Sequence, residues 1–340
     1  EIGSGLVGSE MCIRDRYNVI ICYINLFMYT EVSMIRTTNS IQKANLITHG
    51  GVFHADDVMA TVILEKVFGD VTVCRVLEVP EKLNSNVIVY DIGGGKWDHH
   101  QKGGNGVRKN GSKVGVPYAA AGLIWRDFGY EAIKKYFPNT NLYEVWNSVD
   151  KMLIQGIDAT DNGVNNTSSQ EVAAMSICQM ISNYNPTWDD ETDYDEAFLN
   201  ACNIAREILW NIVKKSVSTC KAKKFVKEAI EQSSDHIMVL QHFVPWQRYL
   251  YLSTNPKAMD IWFVIYPSLR GGYNWQTVTT DLKKRIPMKP VPEEWCGLKG
   301  KELQKITGVN TAIFCHDGGF VGSAKTIQDA IKMAQLAIAS

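Results

Sequence analysis

The sequence predicts an α/β fold: a doubly wound parallel sheet domain followed by a smaller α+β C-terminal domain. Three observations predict it. Two apolar runs, Leu46-Ile47-Thr48 and Val87-Ile88-Val89-Tyr90, each stop at a polar, glycine-rich turn. Between them lie a helical stretch, Val58 to Phe68, and another strand-like run, Val71 to Val76. Strand, helix, strand and strand in succession is how a parallel sheet begins. After residue 233 the texture changes to short strands divided by turns.

Residues 44–48 form the first expected strand. The helix that follows starts at Asp56 or Asp57, where carboxylates suit the helix dipole. It carries Val58, Met59, Val62, Ile63, Val67 and Phe68 along one side. Gln101 to Val116 reads as a long loop rich in glycine, with Lys102, Arg108, Lys109 and Lys113 as a basic lining. Pro117 opens a helix. Helix resumes over Leu142–Gln155 and stops at the carboxylate-dense turn Gly156–Gly163. Ser182 to Asp195 reads as a surface loop. Glu196 to Ile230 is a long amphipathic helix or helix pair with Phe198, Ile204, Ile208, Ile212 and Val213 turned inward. Strands are expected at Ile237–Leu240, Arg248–Leu252, Ile261–Tyr266, Trp275–Thr279, Thr311–Cys315 and Phe320–Gly322. Helices are expected at Gly300–Thr307 and Thr326–Ala339.

This divides the chain into an N-terminal extension (1–40), a metal-binding catalytic domain (41–195), a helical connector (196–232) and a C-terminal substrate-binding domain (233–340). Within the extension, residues 1–33 read as foreign or mis-annotated sequence, in preference to a targeting peptide, with Met34 as the natural start. The run Val19–Met28, interrupted by Asn25, is too short to span a bilayer.

The chain has 340 residues, room for about two domains at the usual ~100–200 residues each. Apolar residues make up 45%, enough for a core. A net charge of −1 excludes a generally basic nucleic-acid coat but not a local basic groove. The eight cysteines form no CxxC pair, which argues against a disulfide framework and a zinc finger and for a reducing, intracellular compartment.

The chemistry concentrates at the strand ends. His49, His54, Asp56 and Asp57 follow the first strand, and Asp91, Asp98, His99 and His100 follow the third. Asp158 or Asp161 adds a further carboxylate. Imidazoles with several carboxylates at the carboxyl edge of a sheet suit Mn²⁺, Mg²⁺ or Zn²⁺. Two ions need a bridging carboxylate, and the strand-terminal Asp91 is well placed to supply it. Asp56 read alone is a helix cap and Asp158 alone a turn residue. Yet five of the seven histidines lie in three glycine-flanked turns, which favours metal binding over coincidence. His236 and His242, outside the glycine-flanked carboxylate clusters, read as surface or core residues. In His316-Asp317-Gly318-Gly319 the glycine N–H groups can face an anion, with Lys325 nearby, or simply close a hairpin.

THGGVFHADDVMA (48–60), VYDIGGGKWDHHQ (89–101), Pro117–Phe128, IDATDNG (157–163) and a block from Pro292-Glu293-Glu294-Trp295 to Gly322 together resemble the Myg family (UPF0160). That family consists of melanocyte-proliferating-gene-type 3′–5′ RNA exonucleases of nucleus and mitochondria, within the DHH phosphoesterase superfamily. The resemblance spans residues 44–338. By position it implies metal ligands at His54, Asp56, Asp91 and Asp161, with His99 or His100 from the Asp-His-His motif. His49 joins them as the first position of the superfamily's opening motif, here one residue longer and with His54 in place of an Asp. The expected set is therefore His49, His54, Asp56, Asp91, His99 and Asp161 for two divalent ions, Mn²⁺ or Mg²⁺. His99, His100 and Asp91 are the expected catalytic residues, and His100, His316, Gly318, Gly319 and Lys325 the substrate-binding ones. The implied reaction is hydrolysis of phosphodiester bonds at a single-stranded RNA 3′ end by a metal-activated water, in the nucleus, mitochondrion or cytosol, with no membrane partner. The alternatives are a phosphatase for pyrophosphate, polyphosphate or a dinucleotide, and a non-catalytic protein that keeps the fold.

Overall fold

The computed structural model describes residues 33–108, 115–164, 175–280 and 286–340. The chain divides into two compact units, Glu1–Val217 and Ser218–Ser340. Among the described residues no helix is long and apolar enough to cross a membrane.

The first unit holds a four-stranded sheet in the order β1-β3-β2-β4, from β1 (Ile35–Thr37), β2 (Leu46–His49), β3 (Val71–Val76) and β4 (Ile88–Val89). Every pairing is parallel. β1 lies inside the segment 1–40 that the sequence reading set aside, so the chain joins the sheet earlier than expected. Helix α1 (Ala55–Phe68) is buried from Ala55 to Lys66 on every side, not along one stripe. It packs against β2, β3 and three helices: α2 (Ala120–Tyr136), α4 (Gln155–Asp161) and α5 (Ile177–Ser182). A helix apolar all round is enclosed in this way. Its one buried anion at the far end, Glu65, is held by Arg206 Nε at 3.0 and 2.7 Å.

The segment expected to end before Gly156 does not end there. Helix α3 (Leu142–Val149) passes through a π-helical turn, Asp150–Ile154, straight into α4. Asp158 and Asp161 are thus helical residues, not turn residues. The long helix α6 (Tyr194–Glu231) forms as expected, and the division between units falls within it. Its buried row is Phe198, Ala201, Cys202, Ala205, Leu209, Val213 and Val217. Ile204, Ile208 and Ile212 are only half-buried, because small residues let that row approach the rest of the unit most closely.

The second unit is built on a five-stranded sheet in the order β5-β6-β7-β9-β8: β5 (Ile237–Val239), β6 (Phe263–Pro267), β7 (Tyr273–Thr277), β8 (Ala312–Cys315) and β9 (Val321–Ala324). β5 and β6 are parallel, the rest antiparallel. Along β6 the burial alternates. Phe263 and Ile265 join Trp275, Leu303 and Met333, while Val264 and Tyr266 join Val226, Met238 and Trp246. Helices α8 (Gly300–Thr307) and α9 (Ile327–Ala339) pack on this unit. The strand expected at Arg248–Leu252 is instead helix α7 (Gln247–Tyr251). Trp246, Tyr249 and Leu250 are buried at i, i+3 and i+4, so helical spacing prevailed over β propensity.

Candidate metal centre

The centre grows from the register of β2 and β4. Ile47 pairs with Val89, so two residues later His49 and Asp91 emerge side by side at the carboxyl edge. His49 Nε2 lies 3.4 Å from Asp91 Oδ2 and 3.5 Å from Asp57 Oδ2. Asp57 sits in the first turn of α1, where its other oxygen accepts the His54 backbone N–H at 2.8 Å. Its neighbour Asp56 faces α2 and accepts the Ala120 and Ala121 N–H groups at 2.8 and 2.6 Å.

Asp91 is 3% exposed and adopts a left-handed backbone, φ 57°. That conformation costs a non-glycine residue of order 1 kcal/mol and collects at functional sites. It reverses the chain into Gly93 and Gly94, both at positive φ, and the Asp91 N–H donates to the Trp97 carbonyl at 3.0 Å. The loop then returns Asp98, His99 and His100. Asp98 accepts the Gly94 and His100 N–H groups at 2.6 and 2.9 Å and holds His100 Nδ1 at 3.0 Å. His99 Nδ1 is 3.4 Å from Asp91 Oδ1 and 3.8 Å from Asp56 Oδ2, and its Nε2 is 2.9 Å from Asp161 Oδ2.

Three ligand groupings result: His49, Asp57 and Asp91; Asp56, His99 and Asp161; and Asp91, Asp98, His99 and His100. Asp91 and His99 each belong to two. Asp57 Oδ2, Asp91 Oδ1 and His99 Nδ1 are buried without a hydrogen-bond partner. Such atoms cost about 1–3 kcal/mol each unless something satisfies them. Burial, then the charges of Asp57, Asp161 and Asp98, push the Asp91 carboxyl up to about 9. Burial and the charge of Asp91 lift Asp56 well above the carboxylate range. Burial pushes Asp98 upward too, but the His100 and Gly94 N–H groups outweigh it and hold that carboxyl low. Hard oxygen donors with imidazole, repelling one another and short of partners, fit a divalent cation.

Of the residues expected from sequence, His49, Asp56, Asp91, His99, His100 and Asp161 come together. His54 stands outside the three groupings. Its ring is 5.9 Å from that of His49, and it lines a cavity of about 430 Å³ with Asp56, His100, Asp161 and Cys178. Asp57 and Asp98 join the site although neither was in the expected ligand set. Adjacency could not tell which of Asp56 and Asp57 faces His49. Asp158, the alternative to Asp161, is committed elsewhere: its Oδ1 accepts the Gly122 N–H at 3.0 Å and its Oδ2 pairs with Arg108. Arg108, read as part of a basic lining, is buried, while Lys109 and Lys113 lie outside the described residues.

His316, Gly318, Gly319 and Lys325 lie in the second unit. The glycine N–H groups expected to face an anion are engaged within the turn. Gly318 donates to His316 Nδ1 at 3.0 Å and Gly319 to the His316 carbonyl at 2.8 Å. His316 and Lys325 are exposed. His236 has an acidic partner that sequence did not show, Asp260, at 2.9 Å, and stacks on Trp262.

A family model described as "Uncharacterised protein family (UPF0160)", the MYG1 exonuclease model, matches residues 45–338. The chain is 29% identical to the MYG1 protein C694.04c of Schizosaccharomyces pombe, over 86% of this chain and 97% of the relative. It is 28% identical to the MYG1 exonuclease of Homo sapiens, over 86% and 85%. A MYG1 protein of Chlamydia pneumoniae is 30% identical over 81% and 89%. No solved structure matches. With nearly its whole described length covered by that model, the chain belongs to the MYG1 (UPF0160) family.

Proposed function

We propose that the protein is a divalent-metal-dependent phosphoesterase with a DHH-type catalytic domain, acting as a 3′–5′ exonuclease on single-stranded RNA. The observation that carries the reading is the set of orphaned, buried donors around Asp91. The name exonuclease borne by the human and mouse relatives supports nucleic acid as substrate. His49, Asp57 and Asp91 would hold one ion, Asp56, His99 and Asp161 a second, with Asp91 between them and Mn²⁺ or Mg²⁺ as the metals. When bound, such ions activate water and neutralise charge on a phosphoryl group.

The chain's own residues do the rest. Asp98 holds His100 Nδ1, so Nε2 is the ring atom left for a substrate in the adjoining cavity, an acceptor in the neutral ring and a donor to a phosphoryl oxygen in the imidazolium. Asp161 beside His99 Nε2 leaves Nδ1 turned towards Asp56 and Asp91. His54 closes the cavity on one side. His316 and Lys325 are assigned to the nucleic-acid end through their exposed side chains.

A cavity of about 430 Å³ also admits a small substrate such as pyrophosphate, short polyphosphate or a dinucleotide. Turnover of a 5′-labelled RNA oligomer and of pyrophosphate, each with Mn²⁺, separates the readings. The RNA is expected to shorten from its 3′ end, and Asp91→Ala is expected to abolish this while circular dichroism stays native. Pyrophosphate turnover with intact RNA contradicts the exonuclease, and activity retained in Asp91→Ala contradicts the centre.

A further inference from the structure

Outside the ligand groupings, the Arg108 cation is buried against the same elements. Arg108 is 5% exposed, and its guanidinium is spent on two carboxylates. Nε reaches both oxygens of Asp150 at 3.2 and 3.0 Å, and Nη2 reaches Asp150 Oδ1 at 2.8 Å. Nη1 pairs with Asp158 Oδ2. The guanidinium carbon Cζ lies 4.4 Å from the Tyr118 ring centre. Asp150 opens the π-helical turn and Asp158 lies in α4. Burial alone would push Asp158 far up; it reaches about 7 because Arg108 counters that push.

These contacts lead to two of the proposed ligands by separate routes. Asp158 accepts the Gly122 N–H, while Asp56 accepts those of Ala120 and Ala121. Three consecutive amides at the start of α2 are thus shared between one carboxylate tied to Arg108 and one in the proposed ligand set. Along α4, Asp161 follows Asp158 by three residues, on the same helical face, and meets His99. The fit is close. A Cβ on Gly122 would strike Asp158 and lie 2.8 Å from Arg108 Nη2.

We infer that Arg108 is a positioning residue for the metal centre, setting Asp56 through the first turn of α2 and Asp161 through α4 by its grip on Asp158. The inference rests on the proposed metal site. Lysine keeps the charge at this position but not the planar fork that reaches two carboxylates at once.

The test is Mn²⁺ binding by calorimetry to the full chain, with thermal unfolding measured alongside. Arg108→Lys is expected to bind Mn²⁺ about 10- to 100-fold more weakly, as removal of outer-shell partners does. Leu209→Ala, a buried substitution in α6, is expected to lower the Tm yet leave Mn²⁺ affinity unchanged. On RNA, Arg108→Lys is expected to lower kcat with little change in KM. Asp158→Asn, which keeps the acceptor for Gly122 but loses the ion pair, serves as the second variant and is expected to behave alike. Mn²⁺ affinity equal to wild type in both variants, or weakened no more than in Leu209→Ala, overturns the inference alone. Failure of both variants to fold makes Arg108 purely structural and also overturns it. Wild-type protein that takes up no Mn²⁺ contradicts the proposed function and the inference together.

Discussion

Asp91 carries two burdens at once, a left-handed backbone and a buried carboxyl among other carboxylates. Asn tolerates that backbone as well as Asp does and carries no charge. Asp91→Asn is therefore expected to raise the Tm of metal-free protein at pH 8 while removing the further rise that Mn²⁺ gives. A metal-induced shift that persists would show that Asp91 is not a ligand. At Gly122 local propensity and tertiary contact oppose each other. Alanine in a helix gains about 1 kcal/mol over glycine, but here it would displace Asp158 and Arg108. Gly122→Ala is expected to lower the Tm despite its better helix propensity, as a melting curve would show. Much of this scale was legible in sequence, because Asp91, Asp98, His99 and His100 form one local motif. The Arg108–Asp158 pair was not: its members are 50 residues apart, and neither had a partner in view.

At the scale of elements, α1 was legible as a helix but not as an enclosed one, since enclosure depends on what α2, α4 and α5 bring to its other faces. The register of β2 and β4 was legible in outline because both strands end at polar, glycine-rich turns. The π-helical turn was invisible: Gly156 and the carboxylates after it mimic a stop, whereas the continuation buries Leu153, Ile154 and Ile157 and ties Asp150 to Arg108. Carboxyls raised above their ordinary value bind protons more tightly in the folded chain than in the unfolded one. Stability of the metal-free protein is therefore expected to fall as pH rises from about 4, the unfolded carboxylate value, to about 9, the value for Asp91. Chemical unfolding at several pH values with chelator checks this, and saturating Mn²⁺ is expected to flatten the fall and release protons. Asp127 runs the other way. Burial opposes its ionisation, but Arg126, Lys96 and Trp97 hold it down to about 2. Its contribution is present above about pH 4 and lost as pH falls towards 2. Asp127→Asn is expected to cost under about 1 kcal/mol at pH 7, given its exposure, and nothing at pH 2.

For the molecule as a whole, the sequence changes texture near residue 233, while the compact units divide after Val217, inside α6. A continuous amphipathic helix gives no sequence signal of where its partners change. The family match runs across both units. His316→Ala, in the second unit, is expected to raise KM for RNA several-fold and leave Mn²⁺ affinity untouched, because His316 belongs to none of the ligand groupings. The most direct measurement is anomalous scattering at the manganese edge from a Mn²⁺-soaked crystal. Two peaks are expected about 3.5–4 Å apart, one among His49, Asp57 and Asp91 and one among Asp56, His99 and Asp161. A crystal saturated with Mn²⁺ that shows no peak within ligand distance of Asp91 would contradict the centre proposed for this chain.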